Sequence, residues 1–427
     1  MKFPYVKLLY GGFAVLAVLA LLFTLSLFNY KSSFFIQSDG FSERLIIQSL
    51  ERYVAVGDTD VGGFMIAFEE AVHIAAVQAI LGPEVERKVY PYISNFNGQY
   101  AAATALVDLF GLKAAQAYYA MRALAALSMI GTLALVAMVV RRDFGATVAV
   151  VVLLPFVLSG LFLFRSMSAY WMLFLNFLPM AVVMTLYPYA RAKRHFFLLL
   201  VLVLLIVFVK SLVGYEYLSC VTLSAMAPLL YYELGGTEYK AAKRSIIVSR
   251  LLALGAVCVI GFLLAIGLHV IKLAAYFGSL ADGLASIKMI ASYTALQDES
   301  GIRGGAPTLT EALIAWLKTF LIYNAHITVM FFVVAVWIAL SAAVAPQHGT
   351  LRTSLRRYFS SPLFYTTLFS IAATLSWSFV MVKHGVVHPH INWVQNYMCA
   401  YVYLVISLVH LAKTVSQSSP QGTSVRA

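Results

Sequence analysis

The sequence predicts an all-α polytopic membrane protein, and three observations predict it. Of the 427 residues, 62% are hydrophobic and 11% charged, and the mean hydropathy is +0.86, a balance that soluble globular chains do not reach. Apolar runs of about 20 residues, the length an α-helix needs to cross ~30 Å of hydrocarbon, recur along the whole chain. Lys and Arg are also divided unevenly between alternate connections, as the positive-inside rule requires of a chain that crosses a membrane repeatedly.

The first apolar run, 8 to 29, follows Lys2 and Lys7. It is too long for the core of a signal peptide and lacks a small-x-small cleavage site, so it reads as an uncleaved anchor. A long external loop, 30 to 113, comes next. Further spans are expected at 114 to 140, 144 to 164, 168 to 190, 195 to 213, 215 to 233 and 251 to 276. A second external segment, 277 to 310, precedes the last three spans at 313 to 345, 361 to 382 and 391 to 412. The expectation is therefore about ten transmembrane helices in a single integral-membrane domain, 1 to 427, with a disordered cytoplasmic tail at 414 to 427. The three cysteines, Cys220, Cys258 and Cys399, fall inside spans and read as small buried apolar residues.

With the N-terminus and C-terminus in the cytoplasm, sixteen of the 30 basic residues lie on the cytoplasmic side, among them Arg141, Arg142, Arg191, Arg250, Arg356 and Arg357. Only Asp143, Glu233 and Glu238 oppose them there. The net charge of +12 is then a topology signal, and a nucleic-acid partner is set aside.

The first external loop opens with "SDGFSERLIIQSLERY". Asp39, followed by Gly40, is expected on a turn at the membrane surface that leads into an amphipathic helix; the carboxylate suits a catalytic base or equally a helix N-cap. In "VGGFMIAFEEAVHIAAVQAIL", Phe64, Phe68, Val72, Ala75 and Ala79 recur at helical spacing. That pattern predicts a second helix lying in the interface, with Glu69, Glu70 and His73 either a solvated face or a reserve of acid–base groups.

The second external segment contains "LQDESGIRGGAPTLTE", where glycines beside Arg303 would let backbone N–H groups and a guanidinium meet an anion, or simply permit turns. A third pattern opposes the charge rule. Arg122, Arg165, Lys210, Lys272 and Lys383 all fall at the outer ends of spans, where charge normally faces a cavity or an anionic partner unless it snorkels. Lys210 is close to Tyr215, Glu216 and Tyr217 across a short outer turn. The last outer turn, "VKHGVVHPHINW", adds Lys383, His384, His388, His390 and Asn392. Its imidazoles read as hydrogen-bond donors to phosphate or sugar, as metal ligands, or as a structural turn.

One anchor helix, a long external loop with an early Asp and surface helices, and a further bundle of spans resemble the GT-C superfamily of integral-membrane glycosyltransferases. The match is topological over most of the chain, with "SDG" at Asp39 and "KHGVVHPHIN" as its local carriers. The Asp-Glu pair of protein O-mannosyltransferases is missing, since Gly40 follows Asp39. The resemblance implies transfer of a sugar from a polyprenyl-phosphate donor to an envelope acceptor, a glycan, a lipid-linked saccharide or a protein hydroxyl, at the periplasmic face of a bacterial inner membrane. It implies Asp39 as base, with Glu69 or Glu70 in reserve. The phosphate and sugar would be held by Arg303, Lys210, Tyr215, Glu216, Lys383, His384, His388, His390, Asn392, Arg122 and Arg165. Part of the family bridges acid and phosphate with magnesium or manganese; such hard ions favour oxygen over imidazole, and no metal ligands are assigned. A transporter or flippase of an anionic lipid-linked substrate and an O-antigen polymerase or ligase are the rival readings.

Overall fold

The computed structural model describes residues 33–57, 63–68, 89–235, 244–295, 308–321, 356–387 and 392–417. The expected anchor at 8 to 29 lies outside them, as do Glu69, Glu70, His73, Arg303, His388 and His390. Throughout the described chain the architecture is helical, with one two-stranded sheet.

Helix α1, Ser33–Val56, runs unbroken through Asp39 and Gly40, so Asp39 is neither on a turn nor an N-cap. A glycine inside a helix costs about 1 kcal/mol. Full burial of Leu45, Ile46 and Leu50 contributes about 1.5–3 kcal/mol per side chain and outweighs it.

The expected interfacial helix after Gly63 begins instead as a strand. β1, Met65–Phe68, pairs antiparallel with β2, Val89–Tyr92, with Met65 opposite Tyr92 and Ile66 opposite Pro91. Phe64 and Met65 are fully buried beside α1. Here a tertiary contact overrides the 3.6-residue period.

Helix α2, Gly98–Phe110, leads to α3, Ala114–Phe144, the first long apolar helix described. The expected span 144 to 164 is broken: α4, Ala146–Leu158, and α5, Gly160–Ser166, meet at 81°. Ser159 at the break accepts the Phe162 N–H at 3.1 Å and caps α5. Phe156, Phe162, Phe177 and Tyr397 fill the corner with ring centroids 5.0 to 6.2 Å apart.

α6, Phe174–Leu186, is short, with residues 168–173 of the expected span forming an irregular strap. α7, Lys193–Val213, α8, Leu218–Leu234, and α9, Arg244–Phe277, follow. α7 and α9 pack closely, because a Cβ at Gly261 would come within 2.8 Å of the Leu204 carbonyl oxygen. Leu205, Val209, Leu252, Val259, Leu263 and Ile271 stay exposed along the pair, as lipid contact would leave them.

The segment 277 to 310, expected as an external loop, has its residues 296–307 outside the described ones and contains a helix, α10, Leu280–Ala295. "SLAD" caps it: the Asp282 N–H reaches Ser279 Oγ at 3.1 Å and the Ser279 hydroxyl donates to Asp282 Oδ2 at 2.5 Å. α11, Leu309–Leu321, starts with the same device at Thr308 and Glu311. α12, Pro362–Val380, α13, Val382–Val387, α14, Val394–Met398, and α15, Ala400–Gln417, complete the described chain. The expected disordered tail is thus helical as far as Gln417.

Among the described residues, four helices, α3, α7, α9 and α12, are each long and apolar enough to cross a membrane, or five if the bent α4–α5 pair is one span. α6, α8 and α15 are shorter apolar helices packed into the same core. The chain is a helical membrane protein; of the ten spans expected, 8 to 29 and most of 313 to 345 lie outside the described residues. The three cysteines are free and buried.

Candidate functional site at one end of the bundle

Two apolar cores meet at one end of the bundle. The larger joins α3 to α9 with α12, α14 and α15; the smaller sits under α1, β1, α2 and the strap. Trp171 and Phe174 pack against both, and the polar groups of the site lie around them.

Glu43, on α1 and 1% exposed, is the centre of this seam. It accepts the Tyr118 hydroxyl at 2.7 Å, the Ser168 hydroxyl, and the Tyr170 N–H at 3.3 Å. Burying a carboxylate is costly unless such donors surround it. Sequence reasoning missed Glu43. Its signal is that Glu43, Ile46 and Leu50 share one helical stripe, so a glutamate stands where a core residue belongs. Asp39 lies one turn earlier, roughly 6 Å along the helix axis; the structure describes its backbone alone.

Arg122, buried on α3, stands over the Tyr118 ring at 5.7 Å and donates from Nε to the Met167 carbonyl at 3.2 Å. Arg165, buried at the end of α5, lies 5.2 Å from the Trp171 ring centroid. It lines a narrow cleft with Trp171, Leu173, Tyr217 and Val394. A second cleft shares Trp171 and Tyr217 with the first and is lined further by Tyr170, Asn176, Lys210, Gly214 and Glu216.

Lys210 is buried in the last turn of α7, and its role differs from the expected phosphate grip. Nζ donates to the Gly214 carbonyl at 2.7 Å and to the Glu216 carbonyl. It therefore closes the α7–α8 turn, satisfying carbonyls a helix end leaves open. The Glu216 carboxylate folds against Gly214, where a Cβ would come within 2.2 Å of Oε2. Tyr215 is turned aside, its hydroxyl 2.7 Å from His269 Nδ1. Burial, with Glu216 adding, holds the Tyr215 phenol above its ordinary range; burial does the same for Tyr92. Tyr92 meets the Tyr170 hydroxyl at 3.0 Å, which fastens the sheet to the strap.

Asn392, 2% exposed, accepts from the Tyr217 hydroxyl at 3.4 Å and so joins the seam. Lys383, half-buried, and His384 belong to α13, which packs on α10, α11 and α12. The expected loop is thus partly helix, and Lys383 shares no described bond with Lys210. Lys272, expected at the same anionic site, instead donates to the Gly63 and Phe96 carbonyls at 2.6 and 2.9 Å between the Phe64 and Phe96 rings. No group of three or more His, Cys, Asp or Glu side chains converges among the described residues.

The other end of the bundle is closed by paired charges. Arg250 donates to Glu233 Oε1 at 2.9 Å, to Tyr187 at 2.8 Å and to the Arg191 carbonyl at 2.8 Å. Arg142 pairs with Asp143, and Tyr232 donates to Asp143 at 2.6 Å. These bonds tie α3, α8, α9 and the turn between α6 and α7.

Fold and site together define a helical membrane protein with buried guanidinium, ammonium and carboxylate groups gathered at one end of its bundle. No protein-family model, curated protein or solved structure matches the chain.

Proposed function

We propose that the protein is a glycosyltransferase of GT-C type that moves a sugar from a polyprenyl-phosphate donor to an envelope acceptor at the periplasmic face of a bacterial inner membrane. The observation that supports this best is Glu43. Its bonds to Tyr118, Ser168 and Tyr170 hold the helix that carries Asp39 against the bundle end where Arg165 and Glu216 line clefts.

In this reading a carboxylate, Asp39 with Glu69 or Glu70 in reserve, takes the proton of the acceptor hydroxyl. The acceptor oxygen forms a bond to the anomeric carbon while the bond from that carbon to the phosphate oxygen breaks. The electron pair leaves with the phosphate, and a guanidinium stabilises the charge that returns there. Arg165, which lines a cleft beside Trp171, is the proposed guanidinium. Arg303, Lys383 and the histidines His384, His388 and His390 complete the proposed phosphate side. A bound magnesium or manganese ion would assist the phosphate's departure.

Purified protein incubated with synthetic prenyl-phosphate sugars is expected to consume donor, and Asp39→Asn to abolish this. Full activity in Asp39→Asn removes Asp39 as base. One feature favours a second reading, a transporter of an anionic lipid-linked substrate: the 81° break between α4 and α5 beside Arg165, since broken helices carry transporter sites. Flux of a labelled prenyl-phosphate sugar across vesicles without donor consumption would support that reading instead.

A further inference from the structure

A cavity of about 370 Å³ opens at the end of the bundle where Arg142 pairs with Asp143, a volume within the range of sites that hold small organic groups. Two helices end on it, α3 at Phe144 and α8 just before Gly235, and two begin on it, α4 near Val148 and α12 after Ser361. Helix C-termini carry a partial negative charge and N-termini a partial positive one, so the cavity presents both signs at once. We propose that it seats the headgroup of a zwitterionic phospholipid of the ethanolamine class, the ammonium at Asp143 and the end of α8, the phosphate at the start of α12. The site is remote from the seam around Glu43, and its occupant does not depend on the glycosyltransferase reading.

Asp143 lines the cavity and accepts from Arg142 Nε at 2.6 Å, from Arg142 Nη2 at 3.0 Å and from the Tyr232 hydroxyl at 2.6 Å. A carboxylate offers about four lone-pair positions, which leaves one for an ammonium N–H. The Arg142–Asp143 pair is neutral as a whole, and among the described residues that line the cavity there is no Lys or Arg. An anionic headgroup would meet the carboxylate with no cation in the wall, whereas a zwitterion brings no net charge. On the phosphate side, a helix leaves its first N–H groups without partners inside it. Ser361 Oγ takes that of Phe364 at 3.2 Å, and Leu363, in the same turn, lines the cavity. Lipid, in place of a soluble zwitterion, follows from the flanks. α4 and α12 both pack on α15, and beyond the cavity they turn Val150, Leu154, Tyr365 and Leu368 outward, a surface that acyl chains cover.

The test is competition binding to the full-length protein in detergent. A phosphatidylethanolamine with a fluorescent acyl chain is displaced by unlabelled phosphatidylethanolamine, phosphatidylcholine or phosphatidylglycerol. Choline has the same charge as ethanolamine but no N–H to donate. Phosphatidylethanolamine is therefore expected to displace the probe at about tenfold lower concentration than phosphatidylcholine, with phosphatidylglycerol the weakest. Asp143→Asn is expected to erase the difference between ethanolamine and choline. His410→Trp fills the cavity from α15 and leaves the Arg142, Asp143 and Tyr232 bonds in place; it is expected to erase the same difference, and it decides the matter if Asp143→Asn does not fold. Equal displacement by the ethanolamine and choline lipids in wild type, stronger displacement by phosphatidylglycerol, or a tenfold preference that survives His410→Trp overturns the site.

Discussion

Replacing Glu43 by alanine removes the acceptor for three donors at once: the Tyr118 hydroxyl, the Ser168 hydroxyl and the Tyr170 N–H. Glu43 is 1% exposed and Ser168 2%, so water cannot readily replace the carboxylate. Each orphaned buried donor costs about 1–3 kcal/mol. Part of this is recovered as the seam relaxes, and breaking a buried charged network by removing one member costs typically 3–5 kcal/mol. Glu43→Gln keeps one acceptor oxygen in the same volume for Ser168 and the Tyr170 N–H, but sets an amide N–H2 against the Tyr118 hydroxyl, so it forfeits one accepted bond and the charge assistance, about 1–2 kcal/mol. The three buried free cysteines supply the assay, because a thiol-reactive fluorophore labels them only as the bundle opens on heating. The expected order of melting temperature is wild type, then Glu43→Gln, then Glu43→Ala, with the last lower by several degrees. An unchanged melting temperature in Glu43→Ala would refute the argument that Glu43 clamps α1 to α3 and the strap.

Arg250→Ala removes bonds to Glu233, Tyr187 and the Arg191 carbonyl. Because Arg250 is only partly buried, a loss of about 2 kcal/mol is expected in the same melting assay. Lys272→Met strips two carbonyls and two rings of their cation. Faster hydrogen exchange is expected in the Tyr92–Phe96 segment, with α3 unaffected; equal exchange in both proteins would contradict the clamp.

Composition and apolar run length were enough to read a helical membrane protein, because bilayer thickness acts on every span alike. Periodicity failed where long-range contacts decide. Phe64 to Phe68 have a helical apolar pattern, yet Met65 pairs with Tyr92 across the sheet. The apolar run 144 to 164 conceals the Ser159 break, which Pro155, Ser159 and Gly160 hint at and the aromatic corner fixes. For the site, sequence singled out Arg122, Arg165, Lys210, Lys272 and Lys383 as costly charges near span ends; Arg165 and Lys210 line neighbouring clefts, whereas Lys272 serves the Gly63 and Phe96 carbonyls and Lys383 lies on α13. What each does there was illegible. Lys210 serves carbonyls four and six residues ahead of it, and Glu43 and Asn176 acquire meaning only from strands and helices distant in sequence.

The charged clasp at Arg142 and Arg250 makes the bundle a lever with a fixed pivot. α7 spans 21 residues, roughly 31 Å at 1.5 Å per residue, so a tilt of about 5° about the clasped end swings its far end by about 3 Å. That end carries Lys210 and the turn to Glu216, one wall of the cleft that Tyr170 and Asn176 also line. A clasp roughly 30 Å away thus restrains the width of the cleft.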